Sequence, residues 1–170
     1  MNDSQSPPLL MLGRVLAVDW GLARIGLAVS DGTRTLATPL ATLHEKDKRA
    51  QIERVVSLIA SEEINQVIVG LPLHLDGRES PSTLSARRYA EKLATRVTIP
   101  IELADERYTS VEAESRLAQA GARSAKGGAR TRDEKGRIDS AAAAVLLQGW
   151  LDTQSVARAR ARDSRGPETP

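Results

Sequence analysis

Three short apolar runs separated by tight turn signals open this chain, and they limit its fold more than any other feature. RVLAVD (14–19) is followed by WGLAR, IGLAVS (25–30) by DGTR, and then comes TLATPLATL (35–43). Runs this short suit strands, and the Asp-Gly step at 31–32 is a strong turn signal. Two tight connections between three strands predict an antiparallel meander. Pro39 has no amide to give a ladder, so the third strand is expected at a sheet edge. The remainder alternates. Ile52, Val55, Val56 and Ile59 recur at helical spacing, and INQVIVG (64–70) is a near-continuous apolar strand of the kind covered on both faces. A helix over 82–96 carries Leu84, Tyr89, Leu93 and Ala94 on its inner side, and 99–104 form a fifth strand. Thr109 and Glu112 have the spacing of a capping box for a helix ending near Gly121. Residues 121–137 read as a polar loop, and a last helix is expected from Asp139 or Ser140 through AAAAVLLQGWLD. The order βββαβαβαα predicts an α/β fold: a mixed five-stranded sheet, three antiparallel strands then parallel ones, flanked by helices.

A length of 170 residues fits one such domain. The expected divisions are a flexible segment at 1–12, a domain at 13–154 and a disordered basic tail at 155–170. The absence of phenylalanine leaves Leu, Val, Ile and Ala to build the core. The absence of cysteine rules out disulfides, thiolate metal sites and a cysteine nucleophile. MNDSQSPPLLML has no basic start and no long apolar run, so it does not read as a signal peptide. No stretch approaches the ~20 apolar residues of a membrane helix, and a cytoplasmic location is expected. The formal net charge is only +2, but it is unevenly spread. Arg123, Lys126, Arg130, Arg132, Lys135 and Arg137 crowd one segment, and Arg158, Arg160, Arg162 and Arg165 mark the tail. Such clusters suit either solvated surface or a polyanion such as nucleic acid.

Crossover connections place the C-terminal ends of the parallel strands on one edge, where ligands of open α/β sheets bind. Asp19 ends the first strand, Glu106 follows the fifth, and Asp139 lies where the last helix is expected to begin. Each alone has an ordinary reading: a turn for Asp19, a salt bridge to Arg107 for Glu106, an N-cap for Asp139. Together at one edge they would repel and resist desolvation. A hard divalent cation with oxygen ligands, Mg²⁺ or Mn²⁺, removes that cost and supports phosphodiester hydrolysis. Gly21 and Gly26 would let a bulky ligand come close, or would simply serve the turn. Arg24, His74 and Arg78 are candidate phosphate contacts; Trp20 is better explained by packing.

Four segments carry a resemblance. VDWGLARIGLAVSD, VIVGLPLHLDGR, ADERYTS and KGRIDSAAAAVLLQGWLD together resemble the YqgF/RuvX family of Holliday-junction-resolvase-like nucleases, over about residues 12–153. The resemblance implies an RNase H-like fold, with Asp19, Glu106 and Asp139 as catalytic and metal-binding acids and Gly21, Arg107 and Thr109 in support. It implies a Mg²⁺- or Mn²⁺-dependent nuclease that processes the 5′ end of precursor small-subunit ribosomal RNA, with precursor ribosomal particles as partners. Cleavage of four-way DNA junctions is the alternative, and a non-catalytic RNA- or ribosome-binding module is another. Lys126, Arg130 and Arg132 are expected to form a backbone clamp. One RNA strand needs one site, which favours a monomer, whereas paired junction cleavage would need a homodimer. An ATP-binding domain of the actin and sugar-kinase type also begins with Asp-x-Gly and a hairpin, but it needs two related domains.

Overall fold

The computed structural model describes residues 12–21, 24–73, 78–105 and 132–163. The strands are β1 (Arg14–Trp20), β2 (Ile25–Ser30), β3 (Ala37–Pro39), β4 (Ile64–Leu71) and β5 (Ile101–Asp105), and the described helices are α1 (Lys48–Ser61), α2 (Pro81–Ala94) and α3 (Arg132–Asp163). They form one five-stranded sheet in the order β3-β2-β1-β4-β5. β1 pairs antiparallel with β2, and β2 with β3; β1 runs parallel to β4, and β4 to β5. This is the mixed RNase H-like arrangement expected from the sequence, with Pro39 on an edge strand.

Alternation along each strand splits the core into two layers. Leu16, Val18, Leu27, Val29, Val67 and Val69 face α1 and α2, meeting Ile52, Val55, Ile59, Tyr89 and Leu93. Val15, Ala17, Ala28, Ile68 and Ala104 face α3, meeting Ala143, Ala144, Leu147, Trp150 and Leu151. Small residues on both sides of the second layer let α3 lie close to the sheet. Ser80 caps α2: its hydroxyl accepts from the Thr83 amide, and the Thr83 hydroxyl accepts from the Ser80 amide. Leu84 and Ala94, expected on the inner side of α2, are exposed; Thr83, Ala86 and Ala90 fill that face with Tyr89 and Leu93.

Two boundaries differ from the sequence reading. β3 is three residues long rather than nine, because the Asp31 carboxylate accepts the Thr35 and Leu36 amides (2.7 and 2.8 Å) and so prolongs the turn. Beyond Pro39, Leu40 donates to Leu27, and Leu43 closes an isolated bridge with Ile25. The last helix begins at Arg132, not at Asp139, and continues to Asp163, through residues expected to be disordered. Arg158 and Arg160 in its C-terminal part suit the negative end of the helix. The Ala-Arg alternation after Val156 consists of strong helix formers. The capping box at Thr109 and Glu112 and the loop from 121 to 131 lie outside the described residues.

Candidate active site

The site begins with the pleat of β1. Val15 and Ala17 face α3, so Asp19, two residues on, faces the same way. Across the ladder Asp19 is directly opposite Gly26. A Cβ on Gly26 would lie 2.1 Å from the Asp139 carbonyl oxygen and 2.6 Å from its carbon. The backbone of α3 therefore rests on Gly26, and that contact delivers Asp139 beside Asp19. The glycine serves the helix, not the approach of a ligand or a turn. The Ser140 hydroxyl, buried next to it, shares a 2.7 Å hydrogen bond with Thr42, which fastens this part of α3 to the segment after β3. Further along, Gln148 accepts from the Ala37 amide (3.0 Å) and donates to the Thr35 carbonyl (3.1 Å).

Asp139 lies inside a helix, so it is not an N-cap. Burial pushes the Asp19 carboxyl up from its ordinary range, and the Asp139 charge pushes it the same way. Two carboxylates from strand and helix thus share one partly desolvated corner. Arg24 Nε lies 2.9 Å from Asp139 Oδ2. That oxygen is buried and, among the described residues, has no hydrogen-bond partner, so the contact is an ion pair whose N–H is not aimed at the oxygen. In this structure Arg24 is therefore engaged by Asp139. Gly21 closes the β1–β2 hairpin: its amide donates to the Arg24 carbonyl (3.0 Å), and a Cβ there would stand 2.7 Å from the same oxygen.

The Asp19 and Asp139 carboxylates form an all-oxygen donor set whose negative charge Arg24 offsets only in part, which fits a hard divalent ion such as Mg²⁺ or Mn²⁺. Among the described residues no group of three or more acidic or histidine side chains gathers at one point. Glu106 follows directly on Asp105, the last residue of β5, and lies outside the described residues, as do His74, Arg107, Thr109, Lys126 and Arg130. Arg132 opens α3, with its side chain outside the described set. Arg78 is exposed in the loop after β4, beside the Leu73–Glu79 bridge. Trp20 points to the opposite side of the sheet from Asp19 and packs on Tyr89, with ring centroids 6.1 Å apart. It is a packing residue, as its sequence context suggested. Thr42 and Ser140 escaped the sequence reading; only the fold brings them together.

A mixed sheet of this order, with two carboxylates meeting where β1 ends and α3 crosses, defines an RNase H-like domain with an acidic site. The profile of the family described as "RuvX: Holliday junction resolvase" matches residues 13–153, and the chain belongs to that family. A relative from Anaeromyxobacter sp. (strain Fw109-5), named "Putative pre-16S rRNA nuclease", is 42% identical over 139 residues, covering 82% of this chain and 96% of the relative. A Streptomyces coelicolor protein of the same name is 40% identical over 156 residues, covering 91% and 89%. Among solved structures, RuvC of T. thermophilus in complex with a Holliday junction substrate aligns with a TM-score of 0.55 at 15% identity, covering 84% of this chain and 96% of that one. The yeast mitochondrial Holliday junction resolvase aligns with a TM-score of 0.50 at 12% identity, covering 88% and 82%. At such identities these two establish a shared fold. No described helix is long and apolar enough to cross a membrane.

Proposed function

We propose that this protein is a divalent-metal-dependent nuclease that trims the 5′ end of precursor small-subunit ribosomal RNA. The observation that carries the reading is the meeting of Asp19 and Asp139, from chain segments far apart, in a corner whose charge no described group fully offsets. Family membership and the names of the relatives supply the substrate class. Asp19, Asp139 and Glu106 would hold Mg²⁺ or Mn²⁺. Once bound, the metal would lower the pKa of a water molecule and stabilise the leaving oxygen. Asp19 anchors the site from the rigid end of β1, and Asp139 closes it from α3. Water adds to phosphorus, the P–O3′ bond breaks, and the proton passes to the departing 3′ oxygen, leaving a 5′-phosphate and a 3′-hydroxyl. His74, Arg78, Arg107 and Thr109 contact the scissile strand, with Gly21 lending backbone at the hairpin, and Lys126, Arg130 and Arg132 hold neighbouring phosphates. Cutting a single strand needs one site, so the working unit is a monomer, acting on precursor particles in the cytoplasm.

The family's description names a junction resolvase, so four-way DNA is the competing substrate. The deciding assay offers end-labelled precursor 16S RNA and a four-way DNA junction to the purified protein with Mg²⁺ or Mn²⁺, beside Asp19→Asn. Metal-dependent cleavage of the RNA, lost in the variant, is expected. Preferential cleavage of the junction would shift the assignment to a resolvase. Equal cleavage by the variant, or none by either protein, would overturn the nuclease reading.

A further inference from the structure

The Arg24–Asp139 pair places a hairpin cation in the corner where the proposed metal would sit. Its geometry is unlike that of a structural salt bridge. The guanidinium approaches Asp139 Oδ2 to 2.9 Å through Nε, yet that oxygen accepts no hydrogen bond among the described residues. The Arg24 side chain is 37% exposed, so the guanidinium has an open path to solvent even though the Asp139 oxygen it leaves is buried. Pairs of this exposure hold weakly and are screened by salt. The backbone of Arg24, in contrast, is fixed: its carbonyl accepts from Gly21 at one end of the hairpin, and Ile25 enters β2 directly after it. A long cationic side chain on a fixed base beside two carboxylates is built to swing.

We propose that Arg24 is a tethered counter-ion that occupies the cation position at Asp139 until a divalent metal displaces it. The proposal rests on the metal-site reading above. In the metal-free protein, Arg24 offsets part of the repulsion between Asp19 and Asp139 and so lets both acids stay close. When metal enters, Asp139 exchanges one cation for another, and the freed guanidinium stands at the mouth of the site. There its planar fork suits a non-bridging phosphate oxygen of the strand being cut. Arg24 thus works as a positioning residue first and becomes a phosphate contact only after metal has bound.

Displacement has a consequence for affinity that a purely structural arginine would not have. Removing the guanidinium removes a competitor for Asp139, so Mn²⁺ should bind more tightly. Breaking an exposed pair and relieving the repulsion between two cations together predict about 3- to 10-fold tighter binding. Calorimetric titration of the full chain with Mn²⁺, in the absence of nucleic acid, measures this for wild type, Arg24→Gln, Arg24→Lys and Asp19→Asn. Tighter binding in Arg24→Gln, with Arg24→Lys near wild type and the difference shrinking at high salt, is the expected pattern. Unchanged or weaker binding in Arg24→Gln, while Asp19→Asn abolishes it, would overturn displacement and leave the metal site standing. Full binding by Asp19→Asn would remove the site itself, and the proposal with it. Should Arg24→Gln fail to fold, nitrogen-15 resonances of the arginine Nε–H groups in the wild type decide the same question. Mg²⁺ should move the Arg24 signal toward that of solvent-exposed arginines, and a signal unmoved at saturating Mg²⁺ would refute the exchange.

Discussion

Gly26→Ala puts the seating of α3 to a quantitative test. The added Cβ would lie 2.1 Å from the Asp139 carbonyl oxygen, 2.6 Å from its carbon and 3.3 Å from the Ser140 amide nitrogen. All three atoms are backbone, so no rotamer change relieves them. Reaching even a tight contact requires roughly 1 Å of separation between β2 and this part of α3. The helix is not free to give that distance uniformly. Gln148 ties it to Thr35 and Ala37, and Ala143, Ala144 and Leu147 are closely packed on Ala17 and Ala28. Overpacking of this kind costs about 1–3 kcal/mol. Asp139 would move away from Asp19 by a similar distance, and a shift near 1 Å in a catalytic group can cost about 100-fold in rate. Urea unfolding followed by circular dichroism should show the loss of stability, and single-turnover cleavage at saturating Mn²⁺ the loss of rate. Gly21→Ala is the natural companion: among the described residues its Cβ meets the Arg24 carbonyl, at 2.7 Å, within the β1–β2 hairpin. Its stability cost should be smaller, since a hairpin can adjust more readily than a packed helix. A Gly26→Ala protein with wild-type stability and wild-type rate would refute the close seating of α3 and the placement of Asp139 that follows from it.

Other outcomes follow from the charges. Burial and the neighbouring Asp139 raise the Asp19 pKa, so the folded protein holds that proton more tightly than the unfolded chain. Stability should fall as pH rises from the unfolded value of 3.8 through the folded one, and metal-free Asp19→Asn should melt higher than wild type at pH 7, with the gain fading in acid. A variant no more stable at pH 7 would mean that the acid is not under strain. Asp31 shows the opposite sign: partial burial raises its pKa, but hydrogen bonds from Leu36, Thr33 and Thr35 outweigh it and leave the group lowered. Its contribution is present above 3.8 and is lost as pH falls through the folded value, so Asp31→Ala should cost about 0.5–1 kcal/mol in urea at pH 7, solvent screening having reduced it, and progressively less in acid. Neutralising Arg130 and Arg132 together should lower the salt slope of RNA binding by about 1.4 and leave Mn²⁺ affinity unchanged. An unaltered slope would remove these two residues from the binding surface.

The sheet was largely legible because its signals are local. Turn residues bracket β1 and β2, Pro39 marks an edge, and the apolar run of β4 announces a strand covered on both faces. The ends of α3 were not legible for the opposite reason. Periodicity is read from an apolar stripe, and the sequence on either side of AAAAVLLQGWLD carries none. ARARARD after Val156 is helical on propensity alone, whereas KGRID before the alanines contains Gly136, which argues against a helix by propensity. β3 was overestimated because one carboxylate, Asp31, claims two amides that a strand would use. Within the site, the crossover rule was enough to place Asp19 on an edge, but Asp139 was brought there by a contact invisible in sequence. Gly26 reads as turn or ligand chemistry until a helix from the far end of the chain is seen lying on it. The pairing of Arg24 with Asp139 was likewise not legible, since nothing in the sequence around Arg24 points to a residue more than a hundred positions away.

That acids from separated segments share divalent ions is tested most directly by anomalous diffraction from a crystal soaked in Mn²⁺. A peak within coordination distance of Asp19 and Asp139, with Glu106 completing the shell and Arg24 withdrawn, is the expected result. Manganese bound elsewhere, or none beside these carboxylates in a protein that still cleaves its RNA, would contradict it.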